Sequence, residues 1–296
     1  MIRTYDLVKR YGSTSALLDF NLHVPEGSVF ALLGPNGAGK TTAIQIMLNI
    51  LRATSGRVEL LGCDSRNLGP KQLTRIGYIS ENRELPGWMS VRSFFEYCRK
   101  FYPDWNDTDA SNLIQLFELP LDLTLRALSR GIRIKVAFVA ALAHRPRLLI
   151  LDEPFSGLDV AARELLVKSV AEQTPNCTVL VATHDLSDIE GFATHIGYLS
   201  SGKLMFAEEM DTLGARFREI EVLFDTATQT TKLPEQLPRS WLNVNQSAGL
   251  IRFTHSQYDP ARCDTEVHQY WRNIRDVSVR PLSLRSIFIA LNGQQT

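Results

Sequence analysis

Lys40 and Thr41 stand near the end of the run Gly34-Pro35-Asn36-Gly37-Ala38-Gly39-Lys40-Thr41-Thr42, which fits the phosphate-binding pattern G-x-x-x-x-G-K-[ST]. Each residue type has a chemical reason to be there. Glycines let backbone N–H groups close around phosphate oxygens with no Cβ in the way. A helix that starts at the lysine adds the partial positive charge of its N-terminus. The Lys40 ammonium is expected to reach β- and γ-phosphates, and the Thr41 hydroxyl to hold Mg²⁺.

A second group lies far along the chain. Leu148-Leu149-Ile150-Leu151-Asp152-Glu153 is an apolar run ending in two acids. Asp152, at the tip, is expected to hold Mg²⁺ through water. Glu153 is then placed beside the γ-phosphate, to orient or deprotonate an attacking water. Ser156-Gly157-Leu158-Asp159 follows closely, and His184 ends the next apolar run, in Ala182-Thr183-His184-Asp185. A lone histidine at a strand end is more often structural. This one falls on the side of a sheet where strand C-terminal ends meet ligands.

These residues need strands and helices to position them. Val29–Leu33 reads as a buried strand before the glycine-rich loop, and Thr41–Leu51 as a helix after it, with Ile44, Met47, Leu48 and Leu51 at helical spacing. Leu148–Leu151 and Val179–Ala182 are continuous apolar runs, as parallel strands covered on both faces must be. Ala161–Glu172 reads as the helix between them and Asp185–Ala193 as another. Residues 1–28 read as short antiparallel strands with turns at Tyr11-Gly12 and Pro25-Glu26-Gly27. Arg57–Gly62 is a strand and turn, and Ile76–Ile79 a further strand. Residues 83–145 change character. Helices are expected over Val91–Tyr102, with Phe94, Phe95, Cys98 and Phe101 on one side, over Asp109–Leu119, with Leu113, Leu116 and Phe117 inward, and over Arg133–Ala143. Past Gly214 strands are expected at Glu219–Phe224 and Leu250–Phe253, and helices at Asp264–Ile274 and Ser283–Leu291. Residues 215–296 therefore read as a small α+β appendage.

Bulk composition excludes several classes. Lys and Arg number 32 and so do Asp and Glu, which removes the broad electrostatic case for nucleic acid. Cys63, Cys98, Cys177 and Cys263 are far apart with no metal-ligand spacing, and read as free thiols suited to a reducing cytosol. The N-terminus has no apolar core of the signal-peptide kind, and there is no run of about 18 apolar residues, the length needed to span a bilayer.

In motif content and order, residues 1–215 resemble the ATP-binding cassette (ABC) ATPases. The resemblance implies an α/β P-loop NTPase fold with a RecA-like core, an antiparallel β subdomain and a helical subdomain. The cassette would span 1–214, with the helical subdomain at about 83–145 and the appendage at 215–296. It implies that the phosphate loop of one subunit faces a signature loop of another, with ATP and Mg²⁺ between them. The signature, normally Leu-Ser-Gly-Gly-Gln, is here Leu128-Ser129-Arg130-Gly131-Ile132. Ser129 and Gly131 can offer a hydroxyl and an N–H to a γ-phosphate. Arg130 reads either as an added cation near phosphate or as a solvent-facing side chain. By the same resemblance Tyr11 stacks on adenine, the alternative being a turn aromatic packed on the core. Asp159 belongs to the nucleotide-contacting set. Glu81 takes the place of a glutamine that touches Mg²⁺ and links the site to the helical subdomain. Lys40, Glu153 and His184 carry the hydrolysis.

Arg133-Ile134-Lys135-Val136-Ala137 after the signature, Phe101–Trp105 and the C-terminal Pro281–Phe288 are more similar to bacterial export-type cassettes working with a separate membrane subunit. The implied protein is a cytoplasmic ATPase subunit, a homodimer or paired with a paralogue, peripheral on the membrane through a permease. The alternatives are an ABC-type ATPase acting on non-membrane partners and a nucleotide-sensing module with little hydrolysis.

Overall fold

The computed structural model describes residues 1–80, 84–173, 177–225, 233–234 and 236–292. The chain divides into two compact units, Met1–Ala207 and Glu208–Thr296.

The first unit is built on a six-stranded sheet. Its strands, in spatial order, are β11 (Lys203–Glu209), β10 (His195–Ser200), β4 (Val29–Leu33), β9 (Thr178–Thr183), β8 (Leu148–Asp152) and β7 (Ile76–Ser80). The pairs from β10 to β7 are all parallel. Every residue of β4, β8 and β9 is buried, which is why these segments read as unbroken apolar runs. Parallel register brings their C-terminal ends level: Leu33 pairs with Thr183, and Asp152 with Ala182 and Ser80. The functional side chains therefore leave the sheet at one edge.

A second, antiparallel sheet holds β1 (Ile2–Tyr11), β2 (Thr14–Phe20), β3 (His23–Val24), β5 (Ser55–Leu60) and β6 (Cys63–Asp64). Gly12, at φ +58°, makes the tight turn from β1 to β2. Phe20, Leu7, Leu17, Ile44 and Met47 join this sheet to helix α1 (Lys40–Met47) in one core. The short helix α2 (Pro70–Leu73) precedes β7.

Residues between β7 and β8 form α3 (Val91–Arg99), α4 (Asp107–Leu116) and α5 (Arg130–Leu142). Ser90, Asn106 and Ser129 cap them with side-chain oxygens. Helix α5 is buried throughout Val136–Leu142. Of these, Val136, Phe138, Val139 and Leu142 each contribute roughly 1.5–3 kcal/mol on burial, and the alanines less. Phe94 and Phe95 point inward as expected, but Phe101 lies past the end of α3 and is exposed, as is Leu116 on α4.

Helix α6 (Val160–Gln173) joins β8 to β9. The helix expected over Asp185–Ala193 is instead a single 3₁₀ turn at Leu186–Asp188 and irregular chain after it. Asp185 caps that turn through the Ser187 N–H, and Gly191 at φ +88° keeps the chain from winding on.

The second unit carries α7 (Met210–Arg216) and a four-stranded antiparallel sheet. The strand order is β13 (Trp241–Ser247), β14 (Leu250–His255), β12 (Arg218–Phe224) and β15 (Ile274–Pro281). Helices α8 (Cys263–Tyr270) and α9 (Leu284–Asn292) complete it. Its core is Ile220, Val222, Phe224, Trp241, Ile251, Phe253, Val267 and Trp271. The helix expected to run to Ile274 stops at Tyr270, because Asn273 takes a left-handed φ of 58° and Ile274 opens a strand.

Candidate nucleotide site

The loop from Gly34 to Gly39 connects β4 to α1. Gly39 sits at φ +109°, and a Cβ there would lie 2.5 Å from the Ala16 carbonyl oxygen. Only glycine fits both the conformation and the space. Gly37, at φ +80°, faces open space, so the loop presents backbone rather than side chain outward. The N–H groups of the first turn of α1 have no acceptor within the helix and face the same way.

Lys40 is buried at the start of α1. Its Nζ donates to the carbonyl oxygens of Gly34 at 2.6 Å and Pro35 at 3.2 Å. It also lies 3.2 Å from Glu153 Oε1. That oxygen makes no hydrogen bond of good angle, so its partnership with Lys40 is an ion pair. Glu153 Oε2 is 2.8 Å from His184 Nδ1. Thr41 Oγ1 donates to Asp152 Oδ1 at 3.1 Å. Lys40, Thr41, Asp152, Glu153 and His184 thus meet at one end of the sheet.

Glu153 adopts φ +48°, uncommon for a residue with a side chain. Its N–H donates to the Ala182 oxygen at 2.9 Å, so the bend is held by the neighbouring strand. The bend breaks the in-and-out alternation of a strand. Asp152 faces Thr41 while the next residue faces Lys40 and His184.

Tyr11 ends β1 as an exposed residue, with the Lys9 ammonium 4.9 Å from its ring centroid. It is not packed into the core, which leaves a ring face open for stacking. Glu81 follows Ser80 on β7 and lies outside the described residues.

Ser129, Gly131 and Asp159 form a second group. Ser129 Oγ caps α5 by accepting from the Ile132 N–H at 3.3 Å. Asp159 Oδ1 accepts from the Ala162 N–H at 2.8 Å at the start of α6. The two helix starts touch: a Cβ on Gly131 would lie 3.5 Å from Leu158, and the Arg130 guanidinium lies against Gly157 and donates to Ser156 Oγ at 3.4 Å. Arg130 is therefore anchored on its own chain's 156–157 turn.

Among the described residues no group of three or more His, Cys, Asp or Glu is placed to hold a metal ion. Thr41 and Asp152 offer two hard oxygen donors, a set that suits Mg²⁺, which keeps several waters and binds through few protein ligands plus phosphate.

The model of the family described as ABC transporter matches residues 17–156. The bacitracin transport ATP-binding protein BcrA of Bacillus licheniformis is 32% identical over 245 residues, covering 80% of this chain and 79% of that protein. This chain belongs to the ABC transporter ATP-binding proteins. The chain is also 28% identical to the ABC transporter ATP-binding protein YtrB of Bacillus subtilis (strain 168) over 99% of its own length and 98% of the relative's. Among solved structures, an ATP-binding subunit of an ABC transporter superposes with a TM-score of 0.67 at 25% identity, covering 73% of this chain and 92% of that chain. The dimeric bacterial ABC transporter cassette MJ0796 gives a TM-score of 0.64 at 25% identity, over 71% and 99%. The expected family and P-loop fold are thus borne out, and the cassette binds nucleotide.

The sequence reading passed over Thr183, Arg163, Ser187 and Asp188, which are bonded together beside His184. The short polar run Asp185, Ser187, Asp188 was the available signal, since such side chains favour local turns over helix.

Among the described residues no helix is long and apolar enough to cross a membrane.

Proposed function

We propose that the cassette binds ATP with Mg²⁺ between two copies, or between one copy and a paralogous cassette, and hydrolyses it to drive export through a separate membrane subunit. The observation that carries this reading is the contact of one carboxylate, Glu153, with both Lys40 and His184 at the mouth of the phosphate loop. A carboxylate so held can accept a proton from water attacking the γ-phosphate. Lys40 leaves its carbonyl and carboxylate partners to meet the β- and γ-phosphates, beside the loop amides of Asn36, Gly37, Ala38 and Gly39. His184 holds Glu153 from the other side. Thr41 and Asp152 would hold Mg²⁺, the ion to which the family resemblance also assigns Glu81. When bound, the ion neutralises charge on the β- and γ-oxygens. Tyr11 stacks on adenine. Ser129, Gly131 and Asp159 serve the nucleotide of the partner cassette.

A transport role draws on the relatives, two of which are named for bacitracin and lantibiotic transport. A docking place for a membrane subunit's cytoplasmic segment is offered by an apolar groove of about 380 Å³ lined by Leu48, Leu73, Tyr78, Cys98, Tyr102 and Ala140. Through that subunit the cassette lies on the inner face of the membrane, with no nucleic acid as partner.

The test has two arms. Purified protein should hydrolyse ATP with Mg²⁺, and the Glu153→Gln variant should dimerise in gel filtration only when ATP is present. Tagged protein from gently solubilised host membranes should carry a stoichiometric multispanning partner. Hydrolysis at background level, or soluble partners alone, would overturn the respective half of the reading.

A further inference from the structure

We propose that Arg163 and Asp188 are positioning residues for His184, joining it to the 156–159 loop. The inference rests on the catalytic site as read above.

The His184 side chain is 48% exposed, so packing does not fix its ring. Its place beside Glu153 is set by the backbone on either side. On one side is Thr183, wholly buried, whose carbonyl accepts from the Gly34 N–H at 3.2 Å at the root of the phosphate loop. The Thr183 hydroxyl accepts from the Asp185 N–H at 3.0 Å and donates to Asp188 Oδ2 at 2.6 Å. On the other side is the 185–188 turn. Arg163 grips it at three points: Nε lies 3.2 Å from Asp188 Oδ1, Nη1 donates to Ser187 Oγ at 2.7 Å, and Nη2 lies 3.8 Å from Asp185 Oδ2.

Asp188 is buried, and a buried carboxylate is costly unless it is paired and hydrogen-bonded. Here Oδ2 accepts from the Thr183 hydroxyl, while Oδ1 meets the Arg163 Nε as an ion pair without a hydrogen bond of good angle. The planar, several-donor head of arginine suits three acceptors at once, which the single ammonium of lysine does not.

Arg163 stands one helical turn after Asp159, with its N–H donating to the Asp159 carbonyl at 3.0 Å. The 156–158 turn packs on the signature residues Arg130 and Gly131. A continuous set of contacts therefore runs from the signature turn through the 156–159 loop and the first turn of α6 to Arg163, Asp188, Thr183 and His184. A shift of that loop reaches the catalytic histidine through one side chain.

The test is a double-mutant cycle on full-length protein, with Arg163→Ala, His184→Ala and the pair, read in single turnover. Arg163→Ala should lower the hydrolysis rate by about tenfold to a hundredfold, the scale of a small misplacement of a catalytic group. Affinity for a fluorescent ATP analogue should stay within about twofold, and in the His184→Ala background Arg163→Ala should add nothing. Arg163→Lys should recover part of the rate. NMR signals of the His184 ring in nucleotide-free protein should move in Arg163→Ala and in Asp188→Asn. If the two alanine effects multiply, or the His184 signals stay in place, the inference is overturned. A wild-type protein without ATP binding or hydrolysis would instead sink the catalytic reading itself, and the NMR result would still judge the positioning claim. If Arg163→Ala fails to fold, Arg163→Lys and Asp188→Asn carry the same comparisons.

Discussion

Lys40 and Glu153 face each other across 3.2 Å inside the phosphate loop, with side chains only 6% and 10% exposed. In this arrangement the carboxylate occupies the cation that a γ-phosphate would need. On the proposed reading nucleotide binding separates them, and the freed Glu153 still has His184 at 2.8 Å. Glu153→Gln removes both the competing charge and the proposed base. Hydrolysis is expected to fall by about 10³-fold, the loss typical of removing a group that positions or stabilises charge in such sites. ATP affinity is expected to hold or rise. Lys40→Ala should instead lose binding. Turnover measured beside equilibrium binding of a fluorescent ATP analogue checks both, and a Glu153→Gln variant with near wild-type turnover would remove Glu153 from the base role.

Gly39→Ala tests the cradle without touching a charge. The new Cβ would meet the Ala16 oxygen at 2.5 Å on a backbone at φ +109°. Both the clash and the left-handed backbone oppose it, each at a cost of roughly 1–3 kcal/mol. The variant is expected to melt lower and to lose ATP binding, since α1 can no longer start where the phosphates need it. Gly37→Ala meets nothing within 4 Å and should keep the fold, losing only what its φ of +80° costs. Thermal melts of the two variants side by side would show equal losses if the close approach at Gly39 were unimportant.

Much of this site was legible because its strands are buried on both faces. Val29–Leu33, Leu148–Leu151 and Val179–Ala182 read as central strands, and residues at the ends of parallel neighbours share an edge. What lay outside that pattern was harder to read. His195–Ser200 and Lys203–Glu209 carry mixed residues, and Ile274–Pro281 is a sheet-edge strand with Arg275, Asp276 and Arg280, so neither an apolar run nor clean alternation marks them. Sheet pairing, not local preference, makes them strands. The ion pair of Arg163 with Asp188 joins residues on either side of β9, and side-chain reach of that kind leaves no periodic trace. The bend at Glu153 was equally silent, since φ +48° there is imposed by the Ala182 carbonyl on the next strand.

The second unit has a core of its own. Trp241 stacks on Phe253 at 4.2 Å and on Trp271 at 5.3 Å between ring centroids. The sheet closes through strands of residues 218–281 alone. A fragment of residues 208–296 is therefore expected to fold by itself, with a cooperative melt and a near-ultraviolet dichroism signal from its stacked tryptophans. Trp271→Ala should remove both, at about 3–5 kcal/mol for a buried aromatic. A fragment with secondary structure but no melt and no aromatic signal would show that its core forms only in the whole chain.

His144 follows the end of α5, buried and stacked on Tyr102 with ring centroids 4.0 Å apart. Burial lowers its pKa to about 4, only partly opposed by the backbone at Thr74 and the charge on Asp104. The folded chain therefore keeps this ring neutral where the unfolded chain, with an ordinary histidine pKa near 6.5, already takes up a proton. Between those values the unfolded state binds more protons, so stability rises with pH. The contribution is complete above about pH 6.5 and drains away as pH falls towards about 4, amounting to about 3 kcal/mol at most. Below the folded pKa no further loss comes from this group. His144→Phe keeps an aromatic face for Tyr102 and removes the titration. Urea unfolding between pH 4 and 7.5 should give a shallower pH dependence in the variant, with the two curves diverging below about pH 6.5. Curves that stay parallel over that range would mean that His144 does not enter the unfolding equilibrium as a buried neutral ring.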